Sequence, residues 1–408
     1  MWKQISKKLE PFQYTVWTEF TPLAIKNKAI NLGQGFPGFP CPDFVKESLA
    51  DATNSNENQY SRPQGVPALV EEIARHYGKK HNRVINPMTE VAVTEGATEG
   101  LLSAFLSMVD TGDEVVIIDP SFDLYVPQTI LAGGIPKLVS LIPPEAGQTK
   151  WGVDFEKLEQ AFNEKTRVFV INTPHNPLGK MFSSEELQKI AQILEKWPNV
   201  AIISDEVYEH IAFNENKHLS LCDFSNLWER TATFSSAGKI FSVTGWKIGW
   251  AVGGPEIMRK ISTSHLWTTF CSNTTCQGAV ARSLRMADNP YMGFPDYYQW
   301  IANQYSRKKE ILYEILSNTK KFKIEPMEPE GGFFLLGRVN PNDIDPKYLA
   351  NGSPDFAFCR WMTENLKICA IPCSAFFSPQ SKHLGHNFVR FALCKDYSEY
   401  EAVARILN

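Results

Sequence analysis

The chain has no apolar run approaching the roughly 18 residues that a membrane span requires. Its first residues, MWKQISKKLEPF, lack the continuous apolar core of a secretory leader. Internal repeats and low-complexity stretches are missing. So is a charge excess of either sign: 41 Lys and Arg against 45 Asp and Glu leave a net charge of -4. That balance argues against nonspecific nucleic-acid binding, although it leaves room for a local basic pocket. The eight cysteines are scattered. Cys369 and Cys373, or Cys271 and Cys276, have the spacing of metal pairs, but no Cys/His framework surrounds either. His383 and His386 flank a Leu-Gly pair and fit a solvent-facing loop. No metal site and no membrane association are expected, and the setting expected is reducing and cytoplasmic.

The 408 residues are 43% hydrophobic and 21% charged, ordinary for a globular protein. That length accommodates about two to three domain-sized units with a large core. Between Glu90 and Gly253, short β-branched runs alternate with amphipathic ones. The strand candidates are VAVT from Val91, EVVII from Glu114, PKLVSLI from Pro136, RVFVI from Arg167, VAIIS from Val200, TATFS from Thr231 and KIGWAV from Lys247. Helical runs such as EGLLSAFLSMV and EELQKIAQILEKW separate most of them, which predicts an α/β doubly wound, mostly parallel sheet. No helix separates the last two, so one edge or antiparallel strand is expected. After Gly254 a long helical tract is predicted, broken around Asp288–Pro290. GGFFLLGRV, a helix near Phe356–Asn365, KICAIP, NFVRFAL and a final helix then read as a smaller α+β domain. The expected division is an N-terminal arm over 1–17, a small domain from 18–42 and 289–408, and a large domain over 43–288.

GQGFPG at Gly33–Gly38 matches GxGxxG, but a dinucleotide fingerprint must open a helix and Pro37, Pro40 and Pro42 obstruct one. A glycine-rich turn that brings backbone close to a ligand fits better.

Ligands of doubly wound sheets bind beyond the carboxyl ends of the strands, and several polar clusters fall there. TEGATEG after Val91–Thr94 opens a helix and presents free N–H groups to an anion. Asp205 ends an apolar strand; it either holds a pyridine nitrogen protonated or caps a following helix. Asn176, in NTPHNPLG, either points its amide into the crevice or belongs to a plain turn. Lys239 follows Ser-Ser-Ala-Gly, small residues that admit a flat ring, and could form a Schiff base with an aldehyde; the alternative is a solvated loop lysine. Lys247 is a second cation suited to a phosphate, or a surface strand lysine. Arg390, inside NFVRFAL, needs an anion, either a substrate carboxylate or a structural Asp or Glu. A lysine and an aspartate so placed are what pyridoxal phosphate requires of a protein.

These clusters occur together with NQYSRPQGVPAL, GATEGL, DPSFDLYVP, SDEVYEHI and SSAGKIFSVTGWKIGW. Over nearly its whole length the chain resembles the fold-type I pyridoxal-phosphate-dependent aminotransferases, in particular the subgroup of kynurenine aminotransferase I (glutamine transaminase K) and the methionine aminotransferases. The resemblance implies a seven-stranded large domain with a smaller domain, and a homodimer with shared sites. It implies that Lys239 holds the cofactor and shuttles the Cα proton, and that Asp205 pairs with its ring nitrogen. Tyr208 and Asn176 would bind the phenolic oxygen, and Phe122 would stack on the ring. The N–H groups of Ala97 and Thr98, with Ser236, Lys247 and Tyr60 of the other subunit, would hold the phosphate. Arg390 would bind the substrate carboxylate, helped by Asn176 and the backbone at Gly35. Trp17, Phe122 and, from the neighbouring subunit, Phe270 would line an aromatic pocket suited to large neutral donors. Cys271 and Thr98 depart from the subgroup pattern, which has histidine and tyrosine there, and this bears on kynurenine preference. A cysteine-S-conjugate β-lyase is the alternative activity; a non-enzymatic module of the same fold is the remoter one.

Overall fold

The computed structural model describes residues 5–320, 322–350 and 352–408. β1 (Ile30–Asn31) precedes a central sheet of seven strands: β2 (Val91–Glu95), β3 (Glu114–Asp119), β4 (Ile135–Ser140), β5 (Thr166–Asn172), β6 (Ala201–Asp205), β7 (Thr231–Ser236) and β8 (Ile248–Gly253). All seven predicted strands are present. Their order is β2-β8-β7-β6-β5-β3-β4. Every neighbouring pair is parallel except those of β8, which runs antiparallel to both β2 and β7. The expected irregular strand is therefore antiparallel but interior, not an edge. A parallel return needs a crossover helix. Only the short turns Ala237–Ile240 and Thr244–Trp246 separate β7 from β8, so the chain folds straight back.

The continuous run in β3 shows why this sheet is buried on both sides. Val115 and Ile117 pack with Leu101, Phe105 and Ile261 from the helices Gly96–Met108 and Pro255–Thr268. Val116 and Ile118 point the other way, against Leu187, Ile190 and Leu194 of the helix Ser184–Glu195. Side chains alternate faces along a strand, and burying each of these groups contributes about 1.5–3 kcal/mol. The helix Ser184–Glu195 starts where Ser183 and Glu186 form a reciprocal capping box.

Beyond Gly254 the helical tract is divided once more than predicted, into Pro255–Thr268, Thr274–Ala287 and Tyr297–Ser317. At the unforeseen break Phe270 has φ 72° and Asn273 caps the next helix by accepting from the Cys276 N–H at 2.9 Å. The signal was the polar run SNTT, a helix start inside an apparent helix. β9 (Ile324–Met327), β10 (Phe334–Val339), β11 (Ile368–Cys369), β12 (Ile371–Pro372) and β13 (Phe388–Ala392) complete the strands. Four of them form an antiparallel sheet in the order β12-β13-β10-β9, while β11 pairs in parallel with β1. The helix Val16–Asn27 is continuous, so the arm expected over 1–17 shares its last two residues with it. No helix among the described residues is long and apolar enough to cross a membrane.

Candidate active site

The carboxyl ends of β5, β6 and β7 and the start of β8 surround a cavity of about 230 Å³. Twelve of the residues singled out in the sequence line it: Trp17, Gly35, Ala97, Thr98, Phe122, Asn176, Asp205, Tyr208, Ser236, Lys239, Lys247 and Arg390. Tyr60 and Phe270 do not. They lie together on the surface, 85% and 47% exposed, with ring centroids 5.3 Å apart.

Asp205 is the last residue of β6 and is buried. A turn follows it, not a helix, so the capping alternative fails. Its Oδ2 accepts from Tyr125 Oη at 2.6 Å, while Oδ1 has only a long contact, 3.4 Å, with the Val207 N–H. Burial pushes its pKa up to about 6; the Tyr125 hydrogen bond and the Lys239 charge oppose that rise.

Lys239 follows β7 on a single helical turn. Its Nζ donates to the Gly35 carbonyl at 3.1 Å and sits 5.1 Å from the Phe333 ring centre. Burial pulls its pKa down to about 8, with Arg390 and Lys247 acting the same way. A solvated loop lysine would not be held like this. Below about pH 8 the amine is mostly protonated and not nucleophilic. The rate at which apoprotein takes up pyridoxal phosphate covalently is therefore expected to rise with pH through about 8 and then level off. Stopped-flow absorbance would show this; a flat profile from pH about 6 to 10 would mean that another ionisation governs attachment.

Arg390 is 1% exposed in the middle of β13. Its Nη1 donates to Asn176 Oδ1 and its Nη2 to the Gly33 carbonyl, both at 2.7 Å, and its buried Nε has no partner. The rings of Phe334, Phe376 and Trp17 stand 3.9, 4.6 and 5.4 Å from the guanidinium carbon. No carboxylate among the described residues forms an ion pair with it, so the structural-partner alternative is not realised. Burial lowers its pKa to about 10. The carbonyl that touches Arg390 belongs to Gly33; that of Gly35, expected to help bind substrate, instead accepts from Lys239.

At the far end of the cavity, the helix Gly96–Met108 opens with the N–H groups of Ala97 and Thr98. Two glycines permit this packing. Gly96 has φ 67°, and a Cβ there would stand 3.2 Å from Lys247 Nζ. A Cβ on Gly249 would stand 2.5 Å from the Ala97 nitrogen. Lys247 precedes β8 rather than lying in it. Sequence reasoning missed Phe334 and Gly33 at the Arg390 end and Tyr125 behind Asp205; their importance comes only from contacts across the fold. A separate grouping, His81, Cys222 and Asp223, also lay beyond it. There His81 Nδ1 and Asp223 Oδ1 are 2.8 Å apart and satisfy each other. All eight cysteines are free.

The donor set fits pyridoxal phosphate. Tyr208 Oη, Ser236 Oγ and Lys247 Nζ, all on the cavity wall, have no hydrogen-bond partner among the described residues. A buried carboxylate, a buried amine and a helix start lie around the same space. A doubly wound sheet with such a rim defines an aminotransferase-type cofactor site. The aminotransferase class I and II family matches residues 27–407, and the chain belongs to that family. It is 38% identical to the kynurenine–oxoglutarate transaminase of Dictyostelium discoideum, over 96% of this chain and 93% of the relative. To kynurenine–oxoglutarate transaminase 1 of Homo sapiens it is 36% identical, over 99% and 97%. Among solved structures, the Escherichia coli methionine aminotransferase YbdL superposes with a TM-score of 0.86 at 34% identity, covering 99% of each chain. Bna3p of Saccharomyces cerevisiae gives 0.92 at 33% identity, covering 99% of this chain and 98% of that one. The protein is a pyridoxal-phosphate-dependent transaminase that moves an amino group from an amino acid to a 2-oxo acid.

Proposed function

We propose that the amino donors are large and neutral (methionine, glutamine, aromatic amino acids and kynurenine), and that the residues around the cavity divide the work as follows. Pyridoxal phosphate supplies a reactive aldehyde and an electron-accepting ring. Lys239 Nζ anchors it and, once released, carries the proton at the substrate Cα. Its lowered pKa makes it a usable base near neutrality. Asp205 faces the ring nitrogen, Tyr208 and Asn176 the phenolic oxygen, and Phe122 one ring face. Ala97, Thr98, Ser236 and Lys247 hold the phosphate. Arg390 grips the substrate carboxylate, the one anion every donor and acceptor shares.

The observation that carries this reading is the convergence of Asp205, Lys239 and Arg390 on one cavity. The apolar wall of Trp17, Phe122 and Phe334 supports neutral donors, because a second carboxylate buried there would lack a partner. A panel of half-reactions tests it. The cofactor-loaded protein is mixed with methionine, glutamine, phenylalanine, kynurenine or aspartate, without acceptor, and the loss of bound-cofactor absorbance is timed. Fast conversion with neutral donors and slow conversion with aspartate is expected. Preference for aspartate would overturn the donor class.

The reading extends to a homodimer in a reducing, cytoplasmic compartment, which the eight free thiols suit. The division into arm, small and large domains rests on the separation of the two main sheets on either side of residue 288. Tyr60 and Phe270 form an exposed aromatic pair, a surface that a second subunit would cover to bring both to its own cavity. Co-expressing Lys239→Ala and Tyr60→Ala chains checks this. Hybrid dimers would hold one intact site, so the mixture is expected to regain about one quarter of wild-type activity. A mixture no better than the mean of the two variants would place Tyr60 outside the shared site.

A further inference from the structure

We infer that Tyr125 is a positioning residue for Asp205: its phenol holds one carboxylate oxygen, fixing the group as an ionised acceptor and leaving the other oxygen for the cofactor. This rests on the reading that Asp205 faces the cofactor ring. Tyr125 opens the helix Tyr125–Ala132, three residues after Phe122, and is 2% exposed. The two rings meet edge to face, with centroids 5.8 Å apart at 80°. The phenol donates to Asp205 Oδ2 at 2.6 Å. One short segment thus supplies a ring on the cavity wall and a donor behind the carboxylate at its base.

The other charges around Asp205 leave a role for that donor. Lys239 favours the ionised form, and Glu206, next in sequence, opposes it. Glu206 is itself paired with Lys80 at 3.1 Å. Tyr208, on the turn that follows, is held in its neutral form by burial. The Val207 N–H is too distant to fix a carboxylate firmly. A hydrogen bond to the charged form favours ionisation, so the phenol offsets part of the burial that drives Asp205 toward neutrality. A protonated Asp205 could not hold a ring nitrogen in its charged state.

The test is cofactor affinity, read without turnover. Apoprotein is titrated with pyridoxal phosphate by fluorescence quenching from pH about 5.5 to 8.5, in wild type, Tyr125→Phe, Asp205→Asn and the double variant. Tyr125→Phe keeps the ring and removes only the O–H. It is expected to weaken binding roughly ten- to a hundredfold and to shift upward, by about one unit, the pH below which affinity falls. In the Asp205→Asn background the same change is expected to alter affinity less than about twofold, as a shared pathway requires. Equal losses in both backgrounds, or no loss in either, would overturn the role of Tyr125 while leaving the site intact. If Asp205→Asn alone changes neither affinity nor its pH dependence, the reading of Asp205 itself is overturned.

Discussion

Lys239→Ala is expected to abolish covalent cofactor attachment and to lower turnover by at least about 10²–10⁴-fold, the usual contribution of a positioned proton carrier. The cavity offers no substitute base at that position. Lys247, the other lysine on the wall, lies against Gly96 at the helix start. Arg390 donates to Asn176 and Gly33, and a guanidinium is not a base near neutral pH. Borohydride reduction provides a readout independent of activity. It should fix the cofactor to the peptide containing Lys239 in wild type and to no peptide in the variant. Retained turnover, or labelling elsewhere, would place the reacting amine on another residue.

Arg390→Met should raise KM for every donor and acceptor by about two orders of magnitude or more, with a smaller change in kcat. Losing one member of a buried, hydrogen-bonded charge contact costs about 2–5 kcal/mol, and each 1.4 kcal/mol is about tenfold. The unliganded protein should respond in the opposite sense. A buried guanidinium without an ion-paired carboxylate carries a desolvation cost that its contacts only partly offset, which its pKa, lowered to about 10, reflects. Methionine fills a similar volume among Phe334, Phe376 and Trp17. The variant is therefore expected to melt no lower than wild type while binding substrate poorly, as calorimetry and steady-state kinetics would show. A large fall in Tm with an unchanged KM would make Arg390 a structural residue. Lysine is not expected to rescue binding, since a point charge lacks the planar fork that matches a carboxylate.

The central sheet was legible because its strands are short apolar runs and all but β8 end in a polar residue at the sheet's carboxyl edge, with Asp205 after AIIS as the clearest example. Lys239 and Arg390 were legible for the opposite reason: each is a cation where small or apolar neighbours give it no local partner. The interior place of β8 was not readable, since it depends on which strand edge remains free after β7 folds back. Tyr125 was hidden by distance along the chain. DPSFDLY reads locally as a turn with a stacking aromatic, and nothing in it announces a carboxylate 80 residues downstream. Gly33 and Gly35 likewise share one loop, and only the fold assigns the first to Arg390 and the second to Lys239.

β2 sits at the edge of the central sheet, and β8 is its only strand partner among the described residues, with Val91 opposite Val252. On a translating ribosome, β2 emerges long before that partner. At about 5–20 residues per second, the wait is on the order of 10–30 s. Throughout that interval VAVTE is an apolar strand without a strand partner, the kind of segment that self-associates or recruits chaperones. The helix carrying Ala97 and Thr98 begins at the end of this strand, and its first turn packs closely on Gly249 of β8. Nascent chains halted before Ile248 should thus be aggregation-prone and unable to retain the cofactor.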